Sequence, residues 1–365
     1  MVRPLPFCVS AAGCSLMAAN KAIMDFSYGT SFLPDRFLRK QTSCTHFLKY
    51  GKGKPMEPKI SVVIPVYNGG SCIRKCFDSL LNQTLKEIEI IAVDDGSTDE
   101  ETIRILDEYI DADPRLRIVN QRNHGAGYAI NRGMEIAKGI YFCEQDQDDW
   151  REPDALGILW EASENGSLDV VKGSWRGHQA GKVVEVRNWP DEWDRKTVTP
   201  LYLPNADLSR LISSPPTVWS GIYRFSFLDC YGISWSETPG AKYQDTAFGL
   251  KTKTFANTFK MLNDPVCEYR MDNPGSASAH PVDGFAIAEE FDSYEHMLKA
   301  YSISIWPVVA RQRFDSYAWA LMRMLPEDRE MFLVRAREDF RRDVQDHNLY
   351  NNREWEWLQG VIGRR

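Results

Sequence analysis

Three aspartates within four residues, Asp146, Asp148 and Asp149, stand directly after the apolar run Ile140 to Cys143. Carboxylates packed that closely repel one another, and a hard divalent cation relieves the repulsion. Mg²⁺ or Mn²⁺ suits the site, because both are commonly held by one or two carboxylates together with substrate phosphates. The segment therefore points to a phosphate-bearing substrate. Read as structure alone, it is a solvated acidic turn in which Asp149 caps the next helix. A second acidic loop, Asp94-Asp95-Gly96-Ser97-Thr98-Asp99, is equally two-sided. Ser97 or Asp99 suits a helix cap, while Asp94 emerges straight from an apolar run and is placed to accept hydrogen bonds from a base or ribose. Gly125-x-Gly127 lacks the third glycine of a dinucleotide fingerprint, Ile130 standing in its place, and reads as a tight strand-to-helix turn. Asp245, followed by Thr246 and the apolar Phe248 and Leu250, reads from its neighbours as a helix N-cap.

These loops need elements to hold them, and the surrounding pattern supplies a βα alternation. Lys59 to Val66, Ile88 to Val93, Leu116 to Asn120 and Ile140 to Cys143 read as strands. Between them Ser71 to Asn82, Asp99 to Ile110 and Gly127 to Lys138 have helical spacing, and a further helix opens near Pro153. The expected fold is α/β, a largely parallel sheet covered on both faces, with ligands beyond the carboxyl ends of its strands. Every polar loop named above follows a strand, as does Tyr67-Asn68-Gly69-Gly70. From Asp283 to Gly363 the pattern is helical, broken at Trp306-Pro307, which gives a C-terminal helical subdomain. Such a tail suits an acceptor cover, a homodimer contact or a peripheral membrane surface. Glu327 to Arg342, dense in both charge signs, reads as a solvated face, and His280 before Pro281 as an exposed turn residue. Trp175, Trp193, Trp219 and Trp235 are weighed as core residues or as sugar platforms, Trp219 being the best placed for the second role.

The 365 residues are 43% hydrophobic and 26% charged, with a net charge of −7. That balance excludes a disordered chain and a polybasic nucleic-acid binder. No apolar run is long enough to span a bilayer as a helix. The eight cysteines are scattered with no CxxC or zinc spacing and read as reduced thiols, which favours a cytoplasmic setting. Residues 1–57 are set apart as an N-terminal extension. Its Arg3 and the stretch to Ala19 faintly resemble a secretory signal interrupted by Ser10, Gly13, Cys14 and Ser15, and Met56 is an alternative start.

Val62-Val-Ile-Pro-Val-Tyr-Asn68, Val93-Asp-Asp-Gly-Ser-Thr-Asp99, the Asn123 to Gly139 stretch and Asp146-Gln-Asp-Asp-Trp150 together resemble the family 2 glycosyltransferases with the GT-A fold. Val218-Trp-Ser-Gly-Ile-Tyr-Arg224, Tyr243-Gln-Asp-Thr-Ala-Phe248 and Tyr269-Arg-Met-Asp-Asn-Pro-Gly-Ser276 look like the second half of that domain, and the resemblance covers residues 58–278. It implies a base pocket of Pro65, Tyr67 and Asp94, Asp94 meeting the uracil ring nitrogen, with Asn131 and Gly133 on the donor-side helix and Trp219 beside the donor or acceptor. Asp146 and Asp148 become the DxD element for ribose and metal-bound diphosphate, Asp149 an additional acid, and the metal ligands are sought among the three. Asp245 becomes the general base. The implied activity is inverting transfer from a nucleotide sugar, UDP-linked by expectation, to a glycan or lipid-linked acceptor, as in bacterial surface polysaccharide or lipopolysaccharide synthesis. The implied location is the cytoplasm, with peripheral contact at the inner face of its membrane. Gln244 replaces the usual acidic neighbour of the base, Ile130 stands where many members carry Arg, and the Gln-x-x-Arg-Trp signature of processive members is missing, which favours transfer of a single sugar. An inactive nucleotide-sugar or glycan-binding homologue and a nucleotidyltransferase are the alternatives. The second is the weaker, because no Lys or Arg precedes Arg74 in the loop after the first strand.

Overall fold

The computed structural model describes residues 57–240, 243–276, 280–343 and 346–363. The extension through Met56, with Cys8, Cys14 and Cys44, lies outside the described residues.

Strand β1 (Ile60–Val66) is apolar at nearly every position and almost fully buried, as a strand covered on both faces must be. It pairs in parallel with β2 (Ile88–Asp94) on one side and β4 (Tyr141–Glu144) on the other, and β2 pairs in parallel with β3 (Leu116–Asn120). Helices α1 (Cys72–Leu81), α2 (Glu100–Tyr109) and α3 (Ala126–Ile136) make the crossovers, α4 (Ala155–Ala162) follows β4, and α5 (Asn205–Ser213), α6 (Phe225–Tyr231) and α7 (Asp245–Phe255) come later in the chain. The predicted alternation is thus present, with ends within two residues of the expected ones.

Beyond β4 the sheet departs from the largely parallel expectation. Its order is β3-β2-β1-β4-β8-β5-β9-β7, with β6 added to β5. The short β8 (Gly221–Arg224) runs antiparallel to both β4 and β5 (Val170–Gln179), whereas β9 (Phe259–Arg270) is parallel to β5. Strands β6 (Lys182–Val186) and β7 (Thr197–Val198) pair antiparallel to β5 and β9. The β5–β6 pairing has a local cause: Ala180 and Gly181, with φ of 48° and 76°, turn β5 directly into β6, where a parallel connection would need a crossover helix.

Alternate strand residues feed two apolar layers. Val62, Ile64, Ile90 and Cys143 join Phe77 and Leu80 of α1 on one face. Val63, Ile91, Val93 and Phe142 face the other way, in the layer that continues into the C-terminal helices through Phe291, Tyr317 and Phe340. Those helices are α8 (Gly284–Ala300), α9 (Trp306–Arg323), α10 (Pro326–Asp343) and α11 (Asn352–Gly363), and Pro307 opens α9 at the predicted break. Among the described residues no helix is long and apolar enough to cross a membrane.

The tail is held by a buried charge cluster that no sequence pattern announced. Arg313, wholly buried, donates from Nη1 to both carboxylate oxygens of Asp343 at 2.8 and 2.7 Å and also contacts Glu295. Breaking such a pair strands a desolvated charge, so Arg313→Met is expected to cost about 3–5 kcal/mol in denaturant melts, against under about 0.5 kcal/mol for the exposed Arg132→Met.

Candidate active site

The carboxyl ends of β1, β2 and β4 open into a cavity of about 540 Å³. Pro65 and Tyr67 line it from the end of β1, Asp146 and Asp148 from the loop after β4, Trp219 from the turn before β8, and Asp245 from the start of helix α7 (Asp245–Phe255). Six of the predicted site residues therefore share one cavity, although Pro65 and Asp245 lie 180 positions apart in the chain.

The remaining three are placed behind its wall. Asp149 is fully buried, and its Oδ1 accepts the Arg270 backbone N–H at 2.7 Å, tying the acidic loop to β9. It neither caps a helix nor reaches the cavity, so of the pair Asp148 and Asp149 it is Asp148 that faces ligand space. Asn131 is turned to the 235–237 segment, donating from Nδ2 to the Trp235 carbonyl and Glu237 Oε1 and accepting the Trp235 N–H on Oδ1. Asp94 is buried with Oδ1 taken by the Ser97 N–H, and it is Asp95 that reaches the cavity wall. Asp95 in turn accepts from Gln121 Nε2 and from the His124 and Gly125 N–H groups, which locks the loop after β3. Asp99, by contrast, is the cap of α2, accepting from the Thr102 N–H at 2.8 Å.

Several positioning residues were given no role by the sequence, although Gln147 and Asn273 lie inside the quoted motifs. Gln147, between the two cavity aspartates, clamps Tyr67 by a reciprocal pair of 3.1 Å bonds, its Oε1 accepting the Tyr67 N–H and its Nε2 donating to the Tyr67 carbonyl. Asn273 Nδ2 donates to Asp148 Oδ2 at 2.6 Å. The buried Arg151 donates to the carbonyls of Val266, Glu144 and Trp219, joining β9, β4 and the Trp219 turn. A buried arginine that bonds to backbone carbonyls does not differ in sequence from a surface one, so only the contacts reveal it. Gly127 permits close packing: a Cβ there would stand 2.0 Å from the Ser236 carbonyl oxygen. The Gly125-x-Gly127 turn thus admits the 236–240 segment and is not a phosphate loop. Gln244 Nε2 donates to the Thr238 hydroxyl and to the Thr238 and Gly240 carbonyls, and a carboxylate could not satisfy those two carbonyls, which accounts for an amide where an acid was expected.

The electrostatics are those of crowded, desolvated acids. Burial first, then Asp148 and Asp245, pushes the Asp146 carboxyl up to about 7. Burial raises Asp245 to about 6, with Lys172 pulling the other way and Lys253 adding a smaller opposing effect. Both lysines are buried: Lys172 reaches the Pro216 carbonyl and Thr217 Oγ1, Lys253 the Ser214 and Pro215 carbonyls. Asp245 occupies the first turn of α7, preceded by Gln244, rather than the N-cap position read from its neighbours. Among the described residues no three Asp, Glu, His or Cys side chains form a complete metal cage. Asp146 and Asp148 nevertheless fit a hard cation whose other ligands are phosphate oxygens, because both present carboxylates to the cavity and Asp148 and Asp245 crowd Asp146 with like charge. Trp219 and Tyr269 stack nearly flat, ring centres 5.2 Å apart and planes 5° apart, and Trp175 sets its edge against both. Trp235 stacks on Phe248 and lines the cavity, whereas Trp193 is core.

Comparison with known proteins places this arrangement. The description "Glycosyl transferase family 2" matches residues 61–231. The uncharacterized glycosyltransferase EpsJ of Bacillus subtilis (strain 168) is 29% identical over 265 residues, 68% of this chain and 70% of EpsJ. The chondroitin synthase of Escherichia coli is 38% identical over 136 residues, 36% of this chain, which spans only 20% of that enzyme. The crystal structure of S. aureus TarS 1-349 in complex with UDP-GlcNAc shares the fold, with a TM-score of 0.64, 18% identity, and coverage of 83% of this chain and 88% of TarS 1-349. Motifs, sheet and cavity coincide with that match, and residues 61–231 are similar to glycosyl transferase family 2.

Proposed function

We propose that the protein transfers a single sugar, with inversion and with the help of a divalent cation, from a UDP-sugar to a hydroxyl of a glycan or lipid-linked acceptor in bacterial surface polysaccharide or lipopolysaccharide synthesis. The observation that carries this reading is the meeting of Asp146, Asp148 and Asp245 in one aromatic-walled cavity at the carboxyl end of the sheet. In it Pro65 and Tyr67 border the base and Asp95 lies at the uracil end with Asp94 behind it, while Asn131 acts only through the Trp235 segment. Asp146 and Asp148 would hold Mn²⁺ or Mg²⁺, which would supply neutralisation of the charge that grows on the departing diphosphate, and Asp149 keeps their loop in register.

Asp245 takes the acceptor proton as the hydroxyl oxygen bonds to the anomeric carbon and the bond to the diphosphate breaks on the opposite face. A carboxyl near 6 suits that task, since it is ionised at neutral pH yet basic enough to accept the proton. Solved structures that share the fold, of TarS 1-349 with UDP-GlcNAc and with UDP, support a uridine nucleotide. The chondroitin synthase relationship supports polysaccharide as the product class. In the same reading residues 58–278 are the catalytic domain and 279–365 its helical partner, working in the cytoplasm or at the inner face of the membrane, as a monomer or homodimer.

Calorimetric titration with UDP and then a panel of UDP-sugars, each with Mn²⁺ and with EDTA, tests it. Metal-dependent binding that is lost in Asp148→Ala is expected. Failure of every uridine nucleotide to bind rejects the donor assignment.

A further inference from the structure

The C-terminal helices do more than complete the core, because α9 reaches the cavity. Trp319 lines it together with Tyr243 and Asp245, although it lies 88 positions beyond the family match that ends at residue 231. Its indole is 37% exposed, and its placement is fixed from two directions. The Tyr243 ring meets it edge to face, with centres 5.9 Å apart and planes at 84°, and the Arg323 guanidinium lies 4.9 Å from the ring centre. Tyr243 is itself held with φ of 62°, a strained left-handed conformation, two residues before Asp245. A large aromatic ring, pre-set by its neighbours and left open beside a general base, is an arrangement for a ligand rather than for packing, since core tryptophans such as Trp189 and Trp193 in this chain are 4–5% exposed.

The group that must reach Asp245 is the acceptor hydroxyl, so the aromatic surface next to Asp245 belongs to the acceptor. The nucleotide end of the cavity, Pro65, Tyr67 and Asp95, is built from the ends of β1 and β2 rather than from the C-terminal helices. We propose that Trp319 is the acceptor platform, stacking the apolar face of the acceptor's terminal pyranose ring so that its hydroxyl meets Asp245, and that α9 thereby sets acceptor specificity. The apolar C–H face of a pyranose and the electron-rich indole face are complementary, and the edge of the sugar stays free for hydrogen bonding. This rests on the proposed function, of which it names the acceptor side.

The test uses the full chain and its Trp319→Ala and Trp319→Phe variants, saturated with UDP and Mn²⁺, on a printed array of bacterial and mammalian oligosaccharides, with UDP affinity measured calorimetrically in parallel. The expected result is that wild type retains one class of glycan, Trp319→Ala loses it at least tenfold, Trp319→Phe keeps most of it, and all three bind UDP alike and melt within a few degrees of one another. Undiminished glycan retention by Trp319→Ala overturns the platform, as does the absence of any retained glycan on a wild-type protein that binds UDP. Loss of UDP affinity in Trp319→Ala with unchanged melting also overturns it, by making Trp319 a donor residue. Failure of the wild type to bind UDP strikes instead at the underlying donor assignment.

Discussion

Asp245→Asn is expected to lower kcat by about 10²- to 10⁴-fold while leaving UDP-sugar affinity unchanged, the loss being that of a general base acting in the transition state. The substitution is close to isosteric, and a melting curve within a few degrees of wild type checks that the fold is retained. The sign of the accompanying pH dependence follows from the raised carboxyl. Below about 6 Asp245 is protonated and cannot accept the acceptor's proton, so wild-type kcat falls about tenfold per pH unit on that side and levels off above it. The residual activity of Asp245→Asn shows no such limb. An acid limb that persists in the variant, or a kcat within about tenfold of wild type, assigns the base elsewhere. Initial rates across pH 5–8 at saturating donor decide it.

Asp146→Asn and Asp148→Ala carry the second large effect, and it has two opposite parts. Loss of a carboxylate ligand is expected to remove the Mn²⁺ dependence of UDP binding and to cut turnover by about 10²- to 10⁴-fold, the several kcal/mol that a cation contributes at a leaving group. Stability of the metal-free protein moves the other way for Asp146→Asn. A carboxyl raised to about 7 by burial and by Asp148 and Asp245 is bound less readily as an anion in the folded chain than in the unfolded one. Its destabilising effect is absent below the unfolded value near 4 and grows as pH rises toward 7. Asp146→Asn is therefore expected to stabilise the EDTA-treated protein at pH 7 by about 1 kcal/mol or more, and to do little at pH 4. Thermal melts at the two pH values, with and without Mn²⁺, check both parts; a variant less stable than wild type at pH 7 in EDTA contradicts the charge-crowding account.

The linear chain determined the first half of the sheet, its crossover helices, the C-terminal helical run and the cavity residues Pro65, Tyr67, Asp146, Asp148, Trp219 and Asp245. That information is local or motif-borne: β-branched runs and helical periods declare buried strands and amphipathic helices, and short polar strings at strand ends declare the catalytic edge. The tertiary structure decided everything that depends on which way a side chain turns. Asp94 and Asp95 are equivalent in type and adjacent in the chain, yet alternation along β2 and the turn after it put Asp95 in the cavity wall and Asp94 behind it. Asp149 looked like a third ligand, and a single backbone amide, that of Arg270 on a strand 121 residues later, claims it for the frame. Asn131, Gln147, Arg151 and Gln244 act through hydrogen bonds to carbonyl or N–H groups, several of them distant in sequence, and backbone groups leave no mark on residue type. The antiparallel β8 and the arrival of Trp319 beside Tyr243 are likewise outcomes of long-range packing. Residue type and spacing fix what a segment can do, but only the partner brought to it across the sheet decides whether it faces a ligand or the frame that holds the site.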